Sequence, residues 1–153
     1  MLLFLLLYLF RIGPNVAIDD AAFAKEFLSR VNTLRNTGCH CNGEYLAPAS
    51  DVKWNSKLKL SSTLHAQQMM RYHFFDHYSR GGKDIGERVK AVGYSWATVG
   101  ENLARGQVTI VEVIEDWLDS PTHCQVLMNP KFREMGAAHV GEYWVLHMGV
   151  RKE

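Results

Sequence analysis

The chain has 153 residues, 47% of them apolar and 22% charged, with a formal net charge of +1. This is the composition of one soluble globular domain, large enough to bury roughly 68% of its unfolded surface. No basic stripe or block of like charge runs along it, which argues against nucleic acid as a partner, and no repeat or low-complexity tract divides it.

The chain opens on MLLFLLLYLF, ten apolar residues ahead of Arg11. A helix needs about 20 such residues to span a bilayer. The stretch therefore reads as the apolar part of a secretory signal or as a degraded membrane anchor. No Lys or Arg precedes it and no small-x-small cleavage site follows, so a disordered or misassigned start is the alternative. Residues 1–18, with Pro14 in a short linker, form this signal-like segment. The folded domain is expected over 19–153.

The first helix is expected from Asp19 or Asp20 to Gly38, with Phe23, Phe27, Val31 and Leu34 on one face. An irregular stretch follows from Cys39 to Lys53, then Trp54 as a core residue. Asn55 can cap a second helix, whose apolar positions include Leu58, Leu64, Met69 and Tyr72. YSRGGKDIG reads as loop and ERVKAVG as a short helix ended by Gly93. SWATVGENLARG reads as a strand with a bulge at Gly100. Thr109 and Glu112 form a capping-box pattern that opens a helix with Ile110, Ile114, Trp117 and Leu118 inward. Ser120-Pro121 starts another short helix, which carries His123. The tail EMGAAHVGEYWVLHMGV is a hairpin turning at Val140-Gly141-Glu142. This order predicts an α+β domain with a small antiparallel sheet covered by helices.

Within TVGENLARG, Glu101 is a single carboxylate in a segment otherwise ready to be buried. Either it points at solvent or it holds something. Seven histidines could be its partners. His73 and His77 are four apart, but no Glu follows His73, so the H-E-x-x-H zinc pattern is absent. His65 reads as a hydrogen-bonded packing residue. His139 and His147 lie on the hairpin, where alternation places either on either face. His77 and His123 sit at element ends, where side chains face clefts more often. Cys39, Cys41 and Cys124 make an odd count, which in an exported protein means one disulfide and one leftover thiol. Their spacing argues against a zinc-cysteine site.

GENLARG, preceded by FFDH and GYSW and followed by VIEDWLDSPTHCQVLMNPKFREMGAA, resembles the CAP superfamily of cysteine-rich secretory, antigen 5 and pathogenesis-related 1 proteins (the SCP domain). VNTLRNTG, VKWNSKL, HAQQM and DSPTHC occur in the expected order, from about Phe23 to Val150, and the likeness is nearer to compact bacterial members. The resemblance implies an α-β-α sandwich with a shallow cleft, often of two histidines and two acids. His77, Glu101 and His123 match three of those positions, and Ser120 stands at the fourth in place of the second acid. Asp119 is adjacent, but one residue along a helix turns a side chain by roughly 100°. The resemblance also implies a Cys41–Cys124 disulfide, with Cys39 left over.

On this reading the strand holds Glu101 so that its carboxylate reaches both imidazoles, fixing a tautomer as acids beside zinc ligands do. Asn102 is expected to bond nearby backbone. Ser120 is expected to cap its helix first and face the cleft second. Three functions follow. The first is a secreted or envelope binding module for a lipid, a peptide or cell-wall material, with His77 and His123 gripping zinc or another divalent metal. The second is a weak hydrolase in which Glu101 and a histidine activate water. The third is a structural or signalling envelope domain with a vestigial site. Two histidines make an incomplete zinc site, and a missing second acid weakens acid–base catalysis. Both favour the binding module over a classical enzyme. Membrane contact is expected only through the N-terminal segment.

Overall fold

The computed structural model describes residues 20–153. The signal or anchor reading of residues 1–18 lies outside the described residues.

Helix α1 (Asp20–Thr37) buries Phe27 and Val31, with Phe23 and Leu34 packed against the same core. The stretch expected to be irregular contains a hairpin, β1 (Cys39–Cys41) with β2 (Glu44–Leu46). Its turn pair, Asn42-Gly43, has φ of 49° and 91°, the positive values a two-residue hairpin needs. That dipeptide is a legible signal, masked by the shortness of the strands. Strand β3 (Lys53–Trp54) follows.

Helix α2 (Ser56–Tyr72) starts at Asn55, whose side chain accepts from the backbone N–H groups of Lys57 and Leu58 at 2.9 and 3.1 Å. It buries Leu58, His65 and Met69, whereas Leu64 and Tyr72 are exposed, since they lie off that face. Helix α3 (Ile85–Ala91) begins two residues before ERVKAVG, because Asp84 and Glu87 form a reciprocal capping box. Strand β4 (Trp96–Arg105) has its irregularity between Trp96 and Thr98, not at Gly100, which pairs in register with Met148. Helix α4 (Ile110–Asp119) opens on the Thr109–Glu112 capping box and buries Ile110, Val113, Ile114 and Trp117, with Leu118 partly buried. Helix α5 (Pro121–Met128) precedes β5 (Glu134–Val140) and β6 (Tyr143–Arg151).

The main sheet has the order β3-β5-β6-β4. It is mixed rather than purely antiparallel, because β3 runs parallel to β5. The largest core cluster joins α1, α4 and α5 to one face through Phe27, Trp117, Leu127, Trp144 and Met148. On the other face Ala66 and Met69 of α2 pack on Leu103, Tyr143 and Val145, and Leu58 packs with Val89 and Tyr94. The layers are thus helix, sheet, helix, an α-β-α sandwich within the α+β class. A Cβ at Gly136 would land on the backbone of Leu58 and Lys59, so this glycine lets α2 press against β5.

Two ties bind the α5 end of the molecule to its start. The Cys41–Cys124 disulfide spans 83 residues and joins β1 to α5, worth about 4.5 kcal/mol on chain-entropy grounds. Cys39 is free, its sulfur 3.8 Å from that of Cys124. The second tie is Arg35, fully buried, which donates to the carbonyls of Ser50, Leu127, Asn129 and Phe132. Lysine has no planar fork to reach all four. Arg35→Lys is expected to cost about 3 kcal/mol, since it strands buried carbonyls. Urea unfolding of the two proteins measures this, and equal midpoints would show that the fork is dispensable.

Candidate functional site

Glu101 and Asn102 are neighbours on β4, one of the two edge strands of the sheet, and their side chains leave from opposite faces. Glu101 points into the α2–α3 layer, with its side chain only 3% exposed. Its Oε1 accepts from His77 Nδ1 at 2.8 Å. Its Oε2 accepts from His147 Nε2 at 2.7 Å and from Arg88 Nη2. His147 is its direct cross-strand partner on β6. Arg88 also donates to the carbonyls of His77 and Lys83, so one guanidinium grips both the carboxylate and the backbone of the residue that carries the first imidazole.

Electrostatics follow from this packing. Burial alone would raise the Glu101 carboxyl, but hydrogen bonds from His147 and His77 and the charge of Arg88 outweigh it and hold it well below the usual carboxylate range. Burial pushes the fully enclosed His147 down, while its hydrogen bond to Glu101 works the other way. His77 is raised by its hydrogen bond to Glu101. Its side chain is 58% exposed, and with Nδ1–H committed to the carboxylate, a neutral His77 presents the Nε2 lone pair outward.

His123 does not touch Glu101; the second imidazole on that carboxylate is His147. His123 is half-buried in the first turn of α5, and burial together with the charge of His77 lowers its pKa. Asn102 Nδ2 donates to the His123 carbonyl at 2.9 Å, so the residue beside Glu101 anchors the turn that carries His123. Gly100 completes the segment. A Cβ there would strike the Phe132 ring at 2.8 Å, so the glycine lets the loop after α5 close on the strand. Each residue of G-E-N thus answers a different physical demand.

Ser120 occupies the N-cap position of α5, but its side chain makes no capping hydrogen bond. Its hydroxyl lies 3.3 Å from that of Thr122. The expected capping role is therefore corrected: the Ser120 hydroxyl turns to the Thr122 hydroxyl rather than to the backbone N–H groups of the first turn. His73 ends α2 in a left-handed conformation (φ 54°), so His73 and His77 do not share a helix turn. His65 is buried and lies 2.9 Å through Nε2 from the Asp76 carbonyl, and burial lowers it to about 4, in keeping with a packing role. His139 stacks on Trp144 at 3.7 Å.

Sequence reading missed two members of the cluster, Arg88 and His147. Arg88 sits beside Val89 and three residues after Ile85, on the inward face of an amphipathic turn, which was the available signal. His147 needed the β4–β6 register, which no single strand encodes. Among the described residues, the one set of three His, Cys, Asp or Glu groups gathered at metal-binding distances is Cys39, Cys41 and Cys124. Two of these form the disulfide. His77, Glu101 and His123 are not gathered at such distances.

Histidine titration by NMR is expected to give His77 a midpoint above 6.5, His123 one below it and His65 one near 4. Glu101→Gln should bring His77 down. The raised His77 stabilises the fold below the unfolded imidazole value and loses that contribution as pH rises through its folded value. The depressed Glu101 stabilises above the unfolded carboxylate value and loses that contribution as pH falls through its folded value. An unmoved His77 in Glu101→Gln would break the pairing.

The sequence matches the family described as the cysteine-rich secretory protein family over residues 28–147. It is 35% identical to the Bacillus subtilis protein YkwD over 89 residues, covering 57% of this chain and 35% of that protein. It is 22% identical to the Bacillus subtilis membrane protein YlbC over 120 residues, covering 78% of this chain and 32% of that protein. The chain thus spans about a third of the length of the curated relatives it matches. Its fold resembles an outer surface protein from Borrelia burgdorferi, with a TM-score of 0.72 at 20% identity over 88% of this chain and 96% of that one. It also resembles an extracellular protein containing an SCP domain from Bacillus anthracis, with a TM-score of 0.70 at 18% identity over 92% of this chain and 45% of that one. The match over residues 28–147, the shared sandwich and the G-E-N segment at its edge make one conclusion: the chain belongs to the cysteine-rich secretory protein (CAP) family.

Proposed function

We propose that the protein is a secreted or envelope-associated binding module whose cleft uses His77 and His123, with Glu101 holding His77 in place. The single observation that carries this is the Glu101–His77 bond at 2.8 Å, which fixes the tautomer of a half-exposed imidazole. A buried anion gripped by Arg88 and His147 is a rigid mount for that imidazole and a poor proton acceptor. This disfavours Glu101 as the general base of a hydrolase and leaves it a positioning residue. The ligand classes are a lipid, a peptide or cell-wall material. A divalent metal such as zinc would take His77 Nε2 and His123 as its protein ligands, leaving its other positions to water and ligand oxygens, which it would polarise. The names of relatives as outer-surface and extracellular proteins support export. No helix among the described residues is long and apolar enough to cross a membrane.

A specific observation favours the lipid class as a second reading. An open groove of about 640 Å³ runs between α1 and α4, lined by Ala22, Leu34, Val111 and Ile114 and also by the charged Lys25, Glu26 and Arg30. It lies on the opposite layer from His77, so a lipid there would not need the histidines.

Zinc titration by calorimetry tests the first reading. His77→Ala is expected to abolish binding at this site, and Glu101→Gln to weaken it by roughly 10–100-fold, as loss of a ligand's carboxylate partner does. Equal zinc binding by wild type and His77→Ala would refute the two-histidine cleft. A peptide-library digest that depended on Glu101 would instead restore the hydrolase.

A further inference from the structure

We infer that the loop carrying His77 forms a recognition shelf for acidic saccharide chains; this rests on the binding-module reading and names its ligand class. Three aromatic rings stand out on the surface around His77. Tyr72, at the end of α2, is 42% exposed, and Phe75 and Tyr78, on either side of His77, are 47% and 59% exposed. Three large aromatics this exposed within seven residues concentrate apolar surface in one loop, and Phe75 also rests against the Tyr143 ring at 6.4 Å. Two arginines lie against the Tyr72 ring: Arg80 at 4.5 Å from its centroid and Arg71 at 5.5 Å. Both are exposed, and neither has a carboxylate partner among the described residues. Asp76, the acid in the same loop, is engaged locally, accepting from the backbone N–H of Tyr78 at 2.8 Å.

The ligand chemistry follows from these two features. Exposed rings on an open surface, Tyr78 most of all, suit the C–H face of a pyranose, whereas an aliphatic side chain or acyl tail seeks a concave pocket. Guanidinium groups pre-stacked on a ring are held in place to meet carboxylates or phosphates in bidentate fashion. A polymer of sugar rings bearing regular negative charge satisfies both at once. His77, in the middle of the shelf, would then face a ring substituent rather than the polymer end.

Four probes decide the matter by calorimetry: oligogalacturonate, neutral dextran, poly-glutamate of matched charge, and vesicles containing an anionic phospholipid. Oligogalacturonate is expected to bind at least about tenfold more tightly than the other three, and the Tyr72→Ala/Arg80→Ala double variant to lose about tenfold or more of that affinity. Tyr78→Ala serves as a second variant, since all three side chains are exposed and their removal leaves the core intact. Equal binding of poly-glutamate would reduce the shelf to charge alone and overturn the saccharide assignment. Equal binding of dextran, preference for vesicles, an unaffected double variant, or no binding at all would each overturn it too. Zinc titration of the same proteins separates the two readings. Polymer binding lost with zinc binding kept isolates the shelf from the cleft, and polymer binding in a wild type that takes up no zinc sinks the metal-binding cleft while the shelf stands.

Discussion

The structure is organised around one buried carboxylate. Glu101 has lost almost all its water, and its negative charge survives because three N–H groups replace the lost hydration. Those donors come from three elements: the loop after α2, helix α3 and strand β6. The anion therefore cross-links the α2–α3 layer to the sheet at its edge. Removing one donor leaves part of that charge uncompensated, which is costlier than the loss of one surface ion pair. The site is rigid where it meets Glu101 and open where it meets solvent, at His77.

The opposite face of β4 does complementary work. Asn102 holds the first turn of α5, the disulfide pins Cys124 in that same turn, and Gly100 admits the Phe132 ring beneath it. His123 is placed by these three constraints, one of them the bond to its own carbonyl. His77 and His123 are thus mounted independently, His77 through a carboxylate from one layer and His123 through backbone and a covalent tie from the other.

Much of this is legible along the chain. The helices announce themselves through caps at Asn55 and Thr109, through Pro121, and through the inward stripe of α4. G-E-N followed by S-P-T-H-C points to the right strand and the right turn. What stays hidden is pairwise. His147 becomes a partner of Glu101 because β4 and β6 align those two residues, and alternation within β6 cannot say which face is inward. Arg88 looks like an ordinary helical charge until the fold closes over it. Arg35 likewise reads as a basic residue at a helix end, yet it is swallowed by carbonyls from segments more than ninety residues on. The parallel β3 escapes because two residues carry no periodicity. Local signals specify elements, whereas buried charge is specified by what arrives from elsewhere.

The tight turn at Gly141-Glu142 has a consequence well beyond its own hairpin. It fixes how β6 lies against β5, and so which side chains of β6 face α2. Adding or deleting a single amino acid there would offset the strand by half a pleat and rotate His147 to the far side, where Met148 now packs. Loop length at that remote bend therefore decides whether Glu101 keeps the donor that β6 brings to it.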